Sequence, residues 1–145
     1  MSAWRRVAIE KLPEFREIIE AAETPGMLWI DLLVRFEGAY QEPADQDLAH
    51  RVYEYAGWCL TKSKDQDIET AAALSFYEHL PLNKKIRKDM ANHLTREVFL
   101  GLKEVFKYHL AEGEYEEMEQ EFLKQSAQRS KWALRDDNKK KPVRK

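Results

Sequence analysis

Apolar residues recur at helical spacing through most of the chain. Trp4, Val7 and Ala8, then Leu12, Phe15, Ile18, Ile19 and Ala22, follow at steps of three and four, with Pro13 interrupting the stripe. Proline is tolerated in a first turn but costs about 3 kcal/mol inside a helix. The pattern therefore predicts a short helix near residues 3–11 and a second from Pro13 to Glu23. Thr24-Pro25 marks the next start, since Thr caps free N–H groups and Pro suits the first helical position. From there to about Tyr40, Leu28, Trp29, Ile30, Leu32, Leu33, Val34 and Phe36 make the helix apolar nearly all round, which predicts a central buried helix.

Leu48, Val52, Tyr55, Ala56 and Cys59 form the inward stripe of a helix from about Asp45 to Thr61. The polar run 62–67 reads as a loop, with Asp67 capping a helix that Pro81 ends. Ile86, Met90 and Leu94 then recur every four residues, and Phe99, Leu102, Phe106 and His109 continue after a break near Thr95. Gly113 marks a turn before Tyr115, Met118 and Phe122, at i, i+3 and i+7 on a last helix whose other faces are mostly Glu. No stretch alternates with period two, and connections are short. The expectation is an all-α fold of six or seven short antiparallel helices, either a helical bundle or a short stack of helical hairpins.

Charge changes this picture at one end. Residues 1–128 carry 16 basic and 24 acidic side chains, a balance of −8, whereas residues 129–145 carry 8 and 2, a balance of +6. This split, with the last apolar spacing ending near Phe122–Leu123, predicts a helical domain over 1–126 and a basic, flexible tail over 127–145. The most apolar window, Met27 to Val34, is too short to span a bilayer and contains Asp31. A single cysteine rules out an intrachain disulfide. These features predict a cytoplasmic chain with no membrane segment.

Candidate chemistry is sparse. Asp47, His50 and Glu54 share one helix face, as do Asp89, His93 and Glu97. Either trio offers nitrogen and oxygen donors, but solvated faces account for both, and the Glu-x-x-His spacing of di-metal bundles is absent. Cys59 lies on an apolar stripe and reads as a buried thiol. Trp29, Tyr53, Tyr55 and Trp58 read as core rather than as a ligand pocket. The five glycines are isolated, and no phosphate loop, nucleophile elbow or paired-cysteine motif is present. The expectation is a non-enzymatic chain with no catalytic, cofactor or metal residues.

The basic clusters are the sharper signal. Lys84, Lys85, Arg87 and Lys88 fall within five residues, and Lys139, Lys140, Lys141, Arg144 and Lys145 crowd the C-terminus. These nine are the candidate nucleic-acid contacts, with Trp132 available to stack on a base. The acidic body opposes such binding, so any of it should be weak, salt-sensitive and directed at phosphates.

The segment IETAAALSFYEHLP, with FKYHLAEGEYEEMEQEF after it, resembles small all-helical, HEAT-like proteins of bacterial families, some of them immunity-protein-like. The resemblance covers residues 45–122 and rests on Ser75, Phe76, Glu78, His79 and Leu80. It implies no catalytic residues. Residues 1–83 balance at −7, a field that speeds association with a basic protein partner. The leading expectation is a protein-binding helical module of immunity or antitoxin type. The alternative is a nucleic-acid-associated protein using Lys84–Lys88 and the basic tail.

Overall fold

The computed structural model describes the backbone of residues 1–140 and the side chains of residues 1–130. The fold is all-helical. Among the described residues there are nine α-helices: α1 (Ala3–Lys11), α2 (Arg16–Ala21), α3 (Pro25–Gly38), α4 (Gln46–Thr61), α5 (Gln66–Ser75), α6 (Lys84–Asp89), α7 (Arg96–Gly101), α8 (Lys103–Lys107) and α9 (Glu114–Lys140). Three 3₁₀ segments, Pro13–Phe15, Tyr77–Leu82 and Met90–Asn92, interrupt them. The count exceeds the expected six or seven because these segments, and a break at Leu102, cut apolar stripes that run on in the sequence.

Local chemistry explains most of the boundaries. Thr24, Asp45, Asn83 and Thr95 each accept a backbone N–H three residues on, from Met27, Leu48, Ile86 and Val98. Asp65, not Asp67, caps α5, accepting from Asp67 and Ile68. Asp65 lies two residues earlier in the same polar run, so its carboxylate reaches the first free N–H groups of the helix. Gly113, at φ +85°, turns the chain into α9 through backbone space that an L side chain rarely occupies. The last helix passes without a break through residue 126, the expected boundary of the tail. Arg129, counted with the basic tail, donates to the Ala91 carbonyl at 3.1 Å and so ties α9 to the body.

The core centres on α3, α4 and α5. Trp29 stacks on Tyr55 (centroids 5.3 Å apart) and packs against Phe76 (5.0 Å). Phe36 meets Tyr53 and Phe76 edge-on. Tyr55 donates its hydroxyl to the Trp4 carbonyl at 2.9 Å, joining α1 to α4. Arg51 forks onto both Glu14 carboxylate oxygens at 2.7 Å and also reaches the Lys11 carbonyl. The Arg51 guanidinium holds the Glu14 carboxyl below the usual carboxylate range, against the opposing effect of burial.

A second aromatic cluster joins the C-terminal half. Phe99 stacks on Phe122 at 3.9 Å and lies beside Phe106 and Tyr115. Cys59 is fully buried, and burial pushes its thiol up to about 12.

One expectation about α3 is overturned. Leu28, Trp29, Leu32 and Phe36 are buried, but the helix is not covered all round. Met27, Ile30 and Val34 are 47%, 60% and 65% exposed. They fall at i, i+3 and i+7, hence on one outward stripe. No other described element covers that side of the helix.

Candidate functional site

The outward side of α3 combines two properties. Its apolar stripe is interleaved with Asp31 and followed by Glu37, both exposed. Between α2 and α3 lies a groove of about 290 Å³, lined by Ile18, Ala21, Ala22 and Met27, with Glu17 and Asp31 contributing carboxylates. On α5, which packs beside α3, Leu74 is also exposed. Large apolar side chains left in water on one helix face, rimmed by charge, are a feature that interaction surfaces share. An apolar floor with carboxylates at its edge suits the aliphatic stem and cationic head of Lys or Arg.

The two histidine trios are partly joined by the fold. His50 Nδ1 lies 3.1 Å from His93 Nδ1, and His93 Nε2 lies 2.9 Å from Asp89 Oδ2. Tyr40 donates to the same Asp89 oxygen at 2.5 Å, and Asn92 donates to Oδ1 at 2.8 Å. With a neutral His93 ring donating from Nε2 to the carboxylate, its Nδ1 is the acceptor for His50 Nδ1–H. His50 Nε2 is left facing Glu54 at 3.5 Å. The His93 ring also stacks on Tyr53 at 4.4 Å. Asp47 is drawn instead to Arg51, and Glu97 is exposed with no contact to His93.

A cleft of about 380 Å³ beside the histidines is lined by Lys11, Tyr53, Trp58, Thr61, Lys62 and Thr95, among others. No hydroxyl or thiol among the described residues hydrogen-bonds to either imidazole. The network joins α4 to the α6 end as a clasp.

Asp89 gives that clasp a pH signature. Burial raises its carboxyl, but hydrogen bonds from His93, Tyr40 and Asn92 outweigh it and leave the carboxyl below the ordinary value. A depressed folded-state value stabilises the protein above the unfolded pKa, near 3.9. That contribution fades as pH falls through the depressed value. Asp89→Asn is expected to cost about 1.5–3 kcal/mol at neutral pH, the scale for hydrogen bonds to a charged group. The gap from wild type should close below about pH 4, as denaturant melts over a pH series would show. A constant gap down to pH 2 would mean that the carboxylate's charge is not what matters.

The basic cluster is less available than its sequence implies. Lys84, Lys85 and Lys88 are exposed on α6. Arg87 is not free: its Nε donates to the Pro81 carbonyl at 2.9 Å and its Nη2 meets Glu114 at 3.3 Å. It pins α6 to the start of α9, and a guanidinium so engaged is a poor phosphate contact. Lys139 and Lys140 lie at the end of α9, with side chains outside the described residues. Lys141, Arg144 and Lys145 lie outside them altogether, as does the side chain of Trp132.

One cluster is invisible in the sequence. Glu78 and His79, adjacent on the 3₁₀ segment Tyr77–Leu82, meet His109, just past α8. Thirty residues separate the two parts, so no spacing motif marks them. Among the described residues, no helix is long and apolar enough to cross a membrane.

Comparison with known proteins finds no match among curated proteins or solved structures. One family model does match, over residues 6–105: Domain of unknown function (DUF7674). The match begins in α1 and ends in α8, and it takes in the α3 face, the histidine clasp and the 3₁₀ segment that carries Glu78. With more than half of its length inside the match, the chain belongs to the DUF7674 family.

Proposed function

We propose that this chain is a non-enzymatic protein-binding module, of immunity or antitoxin type, that seats a basic partner on the outward side of α3. The observation that carries this reading is the stripe of Met27, Ile30 and Val34 on a helix whose opposite face is the core. Covering such side chains removes apolar surface from water at about 25 cal/mol per Å². The groove carboxylates Glu17 and Asp31, on the side of the stripe away from Lys84 and Lys85, and the net −7 of residues 1–83 favour a cationic protein and speed its approach, with Arg35 the exposed cation within α3. A nuclease toxin, whose own ligand is a polyanion, has that character. A cytoplasmic setting agrees with the single, buried thiol.

The test uses the full chain and an Ile30→Glu/Val34→Glu double variant. Both substitutions are on the surface, so stability should move by no more than about 0.5 kcal/mol each. Affinity for a basic partner recovered with the wild type should fall by at least about 30-fold, the scale of losing an interface hot spot. Asp31→Asn with Glu37→Gln should slow association and flatten its salt dependence. A basic partner held equally by the double variant would rule out this face. Co-purifying nucleic acid, seen as raised 260 nm absorbance and lost on deleting residues 129–145, would replace this reading with the nucleic-acid one.

A further inference from the structure

The geometry points to a divalent transition-metal site of Zn(II) type formed by Glu78, His79 and His109, independent of the α3 face. One donor atom from each residue lies within 4.8 Å of the others. Glu78 Oε1 and His109 Nε2 are already 2.7 Å apart, and the two imidazole rings are centred 5.4 Å apart. Two imidazoles and one carboxylate are the borderline-soft nitrogen and oxygen set that Zn(II) takes, with a fourth position left for water or an incoming group.

Three features set this cluster apart from a solvated ion pair. The Glu78 side chain is only 12% exposed, so its carboxylate is largely withdrawn from water and needs a cationic partner. His109, at 35%, leaves one side open for an ion to enter. The backbone that carries two of the donors is held in place: Tyr77, Leu80 and Pro81 beside Glu78 and His79 are buried, and the segment packs against α8. A short outward shift of the Glu78–His109 contact, to separations set by bonds of about 2.0–2.2 Å to one ion, would seat a metal between them. Bound there, the ion would link the 3₁₀ segment to the end of α8, closing a long stretch of chain.

The other histidine pair is an internal control. His50 and His93 bring their Nδ1 atoms to 3.1 Å, but among the described residues no third His, Cys, Asp or Glu donor completes a set with them.

The experiment titrates untagged, metal-free full-length chain with ZnCl₂ by calorimetry, and with CoCl₂ by visible absorption. Expected are one Zn(II) per chain, a Co(II) spectrum of low-coordinate rather than octahedral type, and little competition from MgCl₂. His79→Ala, His109→Ala and Glu78→Gln should each weaken Zn(II) by at least about tenfold, since even supporting residues of metal sites cost that much. The His50→Ala/His93→Ala variant should bind as wild type does. Zn(II) should raise the melting temperature of wild type and not of His109→Ala, which as a surface change keeps its circular dichroism. Should Glu78→Gln fail to fold, the two histidine variants decide the matter. Absence of saturable binding, binding unchanged in both His79→Ala and His109→Ala, loss in the His50/His93 variant, or equal competition by Mg(II) would each overturn the site.

Discussion

Trp29→Ala is expected to destabilise the protein by about 3–5 kcal/mol, the range for removing a large aromatic from a core. Trp29 is fully buried at the centre of α3 and touches the two helices packed on it through Tyr55 and Phe76. Removing the indole leaves a void between α3, α4 and the end of α5, and the buried Leu28, Leu32 and Phe36 hold the α3 backbone in place, so collapse into it is only partial. The loss also includes two aromatic pairs, each worth about 0.5–1.5 kcal/mol beyond area burial. Against a typical net stability of about 5–15 kcal/mol, that takes a large share. Urea melts followed by circular dichroism should show a lower midpoint with an unchanged slope. A near-neutral result would place Trp29 outside the cooperative core.

Phe99→Ala should cost a similar amount, about 3–5 kcal/mol, for a different reason. Phe99 is the contact through which α7 holds α9: it lies flat on Phe122 and beside Tyr115, with Phe106 completing the group. All four are buried, and three of them lie beyond residue 105, where the family match ends. The folded core of this chain thus extends past the matched region. Hydrogen exchange should show the added exposure concentrated in residues 114–123, with α3 and α4 protected for longer. Equal loss of protection throughout would mean that α9 and the α3 core open as one unit.

The helix starts at Thr24 and Asp45 were legible in the sequence, whereas the cap of α5 falls at Asp65, two residues before the expected Asp67. Helix breaks were less legible. Tyr77–Leu82 and Met90–Asn92 keep helical spacing of apolar residues while tightening to 3₁₀, and periodicity alone does not separate the two geometries. The α3 face shows the other limit. An all-apolar helix signals complete burial only if enough chain remains to cover it, and here the covering elements pack on one side. The histidines show a third. Asp89 and His93 were on one face by spacing, but their junction with His50, 43 residues away, depends on how α4 and the α6 end are packed. Glu78, His79 and His109 carried no spacing signal. Arg87 was misleading for the opposite reason, since its charge was visible but its tether to Pro81 and Glu114 was not.

The lone sulfhydryl at position 59 turns the molecule into its own stopwatch. Sealed among apolar side chains and held protonated at physiological pH, Cys59 cannot meet an alkylating reagent while α4 is seated. Modification therefore proceeds only through openings that expose α4, at a rate that reports how often they occur. With no second cysteine to confuse the readout, the untouched chain carries a native probe of its own breathing.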